Sequence, residues 1–257
     1  KPIVEEGKRL YRSEMASWYG TDIFLQKFKD QQKIGGYFSY LDGNNATCVF
    51  FSREAEPKVI GTIRFDSTYN LTTALSDLQE RAFTPYERDL FTIRQKTLAI
   101  VPSDTLFKSY PNAVLNLIPL INGNEKKVYL LTGPKQHGMV ILGNDYLLTF
   151  DGDNNLLTKK RLHRNAIPIP YGDRQEDGKE LEGTMHSHLP ETGDFMTATD
   201  ICTLMPYAKF AKWKKHHVVS KNYFNIWDCL ENTLVVIPME TMRRIAEDNE
   251  RRGKKKD

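Results

Sequence analysis

The stretch Gly183-Thr184-Met185-His186-Ser187-His188, followed by Thr197-Ala198-Thr199-Asp200, decides how the chain is read. The first six residues predict a strand. Alternate strand side chains face one side at ~3.3 Å rise per residue, so His186 and His188 share a face ~6.6 Å apart along the backbone. Leu189 to Met196 contains Pro190 and Gly193, and such a loop can turn the chain back. A helix starting at Thr197 then carries Asp200 in its first turn. Two imidazoles and one carboxylate can converge on one metal ion. Zinc held by three protein groups keeps one open position, the catalytic rather than the structural arrangement, and lowers the pKa of water there to about 7. Two plainer readings stand beside this one. Thr197-x-x-Asp200 fits a helix capping box, and the two histidines fit a solvated polar face.

Outward from this stretch, residues 1–30 read as helix, with Leu10, Met15, Trp18, Tyr19, Ile23, Phe24 and Phe28 at helical spacings. Strands are expected at Tyr37 to Leu41, Thr47 to Phe51 and Val59 to Phe65, separated by turn-forming residues. Phe83 to Ile100 reads as a helix, with Thr84-Pro85 as its cap and first turn. From Ala113 the texture is β: Ala113 to Ile121, Lys127 to Thr132, Gln136 to Leu142, Asp145 to Phe150 and Leu156 to Leu162. Asn122-Gly123, Gly133-Pro134 and Gly143-Asn144 are the breaks. Asp151-Gly152-Asp153-Asn154-Asn155 begins like a calcium loop, but Leu162 stands where the twelfth-position Glu belongs, so it reads as a turn. A polar loop is expected from Tyr171 to Lys179, and a helix from Thr199 to Trp213, with Pro206 as a candidate kink. Strands follow at His217 to Ser220, Tyr223 to Cys229 and Thr233 to Pro238, then a helix from Met239. The expected organisation is α+β: an N-terminal α/β segment over 1–125 and a second domain over 126–257.

Composition sets wide bounds. The chain has 257 residues, 40% hydrophobic and 27% charged, which suits a globular protein whose core needs no metal or disulfide to form. Net charge is +3, and much of the excess sits in Arg251-Arg252-Gly253-Lys254-Lys255-Lys256, so no nucleic-acid footprint is expected. Cys48, Cys202 and Cys229 form neither a disulfide framework nor a zinc-ribbon spacing. No apolar run of ~18 residues exists, so no membrane span is expected. The chain begins at Lys1 without Met, which a cleaved export signal or a shortened chain would each explain. Leu189-Pro190-Glu191-Thr192-Gly193 spells a sorting signal, but no apolar span follows it. His216-His217 lies at a strand entrance with side chains on opposite faces, so the pair is not expected to share an ion.

Gly-Thr-Met-His-Ser-His, a loop, then Thr-Ala-Thr-Asp resembles the JAMM (MPN-type) metalloprotease motif, over roughly Lys127 to Met239. The resemblance implies a JAMM-like (cytidine-deaminase-like) α/β/α sandwich with zinc held by His186, His188 and Asp200. Thr197 would stand at the family's Ser, which helps stabilise the oxyanion. A deaminase is not implied, because its Pro-Cys-x-x-Cys is missing. The chain as a whole is similar to uncharacterised bacterial proteins. It departs from the family pattern by one extra loop residue, by Thr for Ser, and by lacking the upstream Glu, at whose place Gln136 stands. Gln cannot take a proton. Glu182 lies too far along the strand for direct transfer; Glu191 and Asp194 sit in the loop after His188, and Glu191 is the candidate to replace the base. His137 and His163 are candidates to assist or to orient a ligand. Two functions follow: a zinc-dependent hydrolase of peptide or isopeptide bonds, or a catalytically inactive JAMM-like binding or scaffold module.

Overall fold

The computed structural model describes residues 1–172 and 181–253. The chain is a mixed α+β protein. Helix α1 (Pro2–Lys27) is followed by strands β1 (Ile34–Asp42), β2 (Asn45–Ser52), β3 (Val59–Phe65) and β4 (Leu75–Asp77), an antiparallel meander. Helix α2 (Pro85–Ile100) comes next. A second antiparallel sheet has the order β5 (Ala113–Asn122), β6 (Glu125–Pro134), β8 (Tyr146–Phe150), β9 (Leu156–Arg161). Strand β7 (Met139–Gly143) leaves that sheet to pair with β10 (Ala166–Pro170). The last sheet is β11 (Gly183–Ser187), β12 (Lys215–Val219), β13 (Tyr223–Asp228) and β14 (Thr233–Pro238). Helix α3 (Ala198–Ala211) connects β11 to β12, its parallel neighbour, and α4 (Met239–Gly253) ends the described chain.

Local sequence explains most of these elements. In α2, Thr84 and Glu87 form a reciprocal capping box behind Pro85, and Arg81 grips the Glu87 carboxylate at 2.7 and 2.8 Å. Strand β2 is buried on both faces. Cys48 and Phe50 meet Ala16 and Phe24 of α1, while Val49 and Phe51 meet Phe83 and Leu90 on the α2 side. Each fully buried Val, Leu or Phe among them contributes about 1.5–3 kcal/mol of hydrophobic stabilisation. Helix α1 also packs against α3. Gly7 lies so close to α3 that a Cβ there would sit 2.7 Å from Ile201 Cβ, and Leu10 shares a core with Ile118, Leu131 and Cys202. The expected boundary near residue 125 lies at the start of β6, whose antiparallel partner β5 precedes it.

Several expected elements differ. The strand placed at Gln136 begins at Met139, because Gly138 takes φ +84° in a turn. Gly133-Pro134 does not break β6; there the strand pairs only with β5, so the missing Pro134 N–H costs no central ladder bond. Strands β4 and β10 are additional to the expected set. β10 contains Pro168 and Pro170, which reads as loop in sequence, yet proline is tolerated in an edge strand such as this. Asp151 makes the expected turn, its Oδ1 accepting from the backbones of Asp153 and Asn155. The polar loop expected over 171–179 lies outside the described residues from 173 on, as do Lys254 to Lys256 of the basic run.

Candidate metal centre

Thr184, His186 and His188 lie on one face at the end of β11, where the ladder continues through the His188 N–H to Val219 O at 2.8 Å. The opposite face is open: Met185 is 60% exposed. The loop after His188 folds back so that Thr197 caps α3. Its Oγ1 accepts from Asp200 N at 3.1 Å, and Asp200 Oδ2 accepts from Thr197 N and Oγ1, each at 2.8 Å. The capping-box reading is therefore realised. It does not exclude the metal reading, because the cap uses one carboxylate oxygen. Asp200 Oδ1 is buried with no hydrogen-bond partner and points at the imidazoles.

A fourth group joins these three. His163, after β9, comes to the same point, and one ligand atom from each of His163, His186, His188 and Asp200 lies within 4.8 Å of every other. His163 Nε2 is 3.3 Å from His188 Nε2 and 3.4 Å from Asp200 Oδ1. His188 Nε2 is 3.3 Å from Asp200 Oδ2, and His186 Nε2 is 3.6 Å from Asp200 Oδ1. Ligands ~2.0–2.1 Å from a tetrahedral zinc are ~3.3–3.4 Å apart. The donor atoms thus already have nearly the separations that an ion would impose. All four residues are buried, and His186 Nε2, like Asp200 Oδ1, has no hydrogen-bond partner. Orphaned buried polar atoms of this kind cost about 1–3 kcal/mol each unless a ligand satisfies them.

Outer groups orient the ring nitrogens. His163 Nδ1 faces Asp145 Oδ2 at 3.2 Å, and the other Asp145 oxygen accepts from Thr132 N at 3.0 Å. Asp145 O also accepts from Leu162 N, anchoring the chain beside His163. Gly143, at φ +81°, allows this approach, since a Cβ there would sit 2.4 Å from Asn165 O. On the other side His186 Nδ1 meets His216 Nε2 at 2.8 Å, and His216 Nδ1 meets Thr184 Oγ1 at 2.6 Å. Register explains the chain of contacts, because Thr184 stands opposite His216 in the parallel ladder. Donation from His186 to His216 to Thr184 leaves His186 Nε2 with its lone pair toward the centre, the tautomer a metal needs. His188 is the exception: its Nδ1 has no partner among the described residues.

Protonation follows the same layout. Burial pushes His186 down to about 4 and His216 down to about 3, so both are neutral at pH 7. Burial also disfavours charge on His163, but Asp200 and Asp145 outweigh it and raise His163 to about 10. Burial opposes charge on Asp200 too, and the imidazoles, His163 foremost, overcome it and hold the carboxyl well below its usual range. The protein can therefore balance Asp200 with a proton on His163, and a metal ion would displace that proton.

The remaining expected site residues lie elsewhere. Glu191 is 57% exposed and faces Arg164 at 3.9 Å, outside the cluster. Asp194 accepts from Asn222 Nδ2 at 2.9 Å, and Glu182 pairs with Lys214. Gln136 and His137 are exposed in the turn before β7. Thr197 reaches Asp200 Oδ2, so its hydroxyl is engaged in the cap. Sequence reasoning placed His163 among assisting residues, set His216 aside with His217 as a pair not expected to share an ion, and missed Asp145. His163 stands in the basic run Lys159-Lys160-Arg161-Leu162-His163-Arg164, which carries no ligand signal. No protein-family model, no curated protein and no solved structure matches this chain.

Proposed function

We propose that the chain binds one transition-metal ion, zinc first, through His163, His186, His188 and Asp200, and serves as a metal-stabilised JAMM-like binding module for a peptide or protein partner. Imidazole and carboxylate donors suit zinc, with iron, nickel and copper as competitors. The observation that carries the reading is His163. Its Nε2 stands 3.3–3.4 Å from two other donor atoms, where a three-ligand site would keep its open position. Four protein donors close a tetrahedron, the arrangement of structural zinc sites. The JAMM-like sandwich is part of this proposal, supported by the strand, loop and helix order around β11 and α3.

Hydrolysis of a peptide or isopeptide bond is the second reading, favoured by the Asp145–His163 pair. If only His186, His188 and Asp200 bound the ion, His163 would face it as a base, its Nδ1–H held by Asp145. Zinc there would supply Lewis acidity. Elemental analysis of purified protein, His188→Ala and His163→Ala separates the readings. The binding module expects about one zinc per chain, lost in both variants. Zinc retained in His163→Ala, together with peptidase or isopeptidase activity that this variant loses, would favour the hydrolase. Absence of metal from every form, even after zinc is supplied, would sink both.

A further inference from the structure

Helices α1, α2 and α3 and the β5–β6 hairpin line a half-open cavity of about 670 Å³. Glu14 of α1 and Arg94 of α2 both line it. Neither has a hydrogen-bond or ion-pair partner among the described residues, and Arg94 Nε is buried without one. Arg94 makes a ring contact, its Cζ 6.0 Å from the Phe51 centroid. Burial pushes the Glu14 carboxyl up to about 7 and lowers Arg94. Tyr37 lies within the electrostatic reach of both. Trp18, 6.4 Å from both Tyr207 and Phe210 between ring centroids, gives the cavity an aromatic side.

An acidic and a basic side chain thus line one pocket without pairing with each other. Glu14 and Arg94 are partly buried, and an unpaired, partly desolvated ionisable group is costly; the cost is offset when a ligand brings the complementary group. A carboxylate matches an ammonium, and a guanidinium fork matches a carboxylate with two parallel hydrogen bonds. The rings add apolar area and a face for a side chain. A cavity of this volume takes a molecule of drug size or a peptide of a few residues.

We infer that this cavity binds a small zwitterion with a large apolar side chain, an aromatic α-amino acid either free or as a short peptide, with its ammonium on Glu14 and its carboxylate on Arg94. The inference does not depend on metal at the other site. Isothermal titration of the full chain tests it, with L-phenylalanine, the dipeptide Phe-Ala, 2-phenylethylamine and 3-phenylpropionate as probes. The two zwitterions should bind, and each singly charged analogue should bind about tenfold or more weakly. Glu14→Gln should weaken L-phenylalanine about tenfold and leave 3-phenylpropionate unchanged; Arg94→Gln should weaken L-phenylalanine similarly and leave 2-phenylethylamine unchanged. Tighter binding of the amino acid than of the dipeptide identifies the free form, and the reverse identifies the peptide. No binding of either zwitterion to wild type at millimolar concentration overturns the inference. So does equal affinity for zwitterions and singly charged analogues, a comparison made on wild type alone and independent of how the variants fold.

Discussion

Replacing Asp200 with Asn separates the two roles of its carboxylate. Asn keeps an oxygen to accept from Thr197 N, so the helix cap survives, but it removes the anion that faces three imidazoles at 3.3–3.6 Å. The Asp200 side chain is fully buried, so its charge has no solvent to replace it. In metal-free protein the variant should lose about 3–5 kcal/mol, the usual cost of breaking a buried pair. Loss of the cap alone, in Thr197→Ala, should cost about 1 kcal/mol. Zinc at a thousand times its Kd should stabilise wild type by about 4 kcal/mol and Asp200→Asn by much less. Urea unfolding followed by far-ultraviolet circular dichroism, with EDTA and then with zinc, reads both numbers. The sign with pH is also set. His163 is raised to about 10, so its contribution is full below its unfolded value near 6.5 and is lost as pH climbs through about 10. Asp200 is depressed, so its contribution is present above about 4 and lost in acid. The Asp200→Asn deficit should therefore be largest between about pH 4 and 6.5. A deficit near zero, with equal zinc stabilisation of both proteins, would show that Asp200 is a cap and nothing more.

Other consequences are as specific. Asp145→Asn loosens His163 and should weaken zinc binding about 10–100-fold in a chelator competition; an unchanged affinity would remove Asp145 from the site. Metal-free wild type should lose stability from about pH 6.5 toward pH 4, because His186 and His216 resist protonation in the fold and accept it when unfolded. Each contributes at most about 1.4 kcal/mol per pH unit, and His216→Gln should flatten the slope in denaturant titrations at several pH values. Gly7→Val drives a side chain into Ile201, one residue from Asp200, and should cost about 1–3 kcal/mol by thermal unfolding. Gly152→Ala, where a Cβ meets nothing within 4 Å, is its control, and equal melting of the two would refute the tight α1–α3 contact.

What sequence alone determined is local. A period of two put His186 and His188 on one face, and the Thr197-x-x-Asp200 spacing put the carboxylate in a first turn. Hydrophobic periodicity likewise located α1, α2 and β1 to β3 nearly to their ends. These features depend on residues a few positions apart, whose relative placement the backbone fixes. The tertiary structure decided the rest. His163, Asp145 and His216 reach the centre from separate elements, brought there by strand pairing and by burial that no local pattern encodes. Packing also resolved what spacing left open at Asp200, giving one oxygen to the cap and turning the other toward His163 and His186. The cavity lined by Glu14 and Arg94 has the same origin, because helices distant in sequence must pack together before these two unpaired side chains can share a pocket.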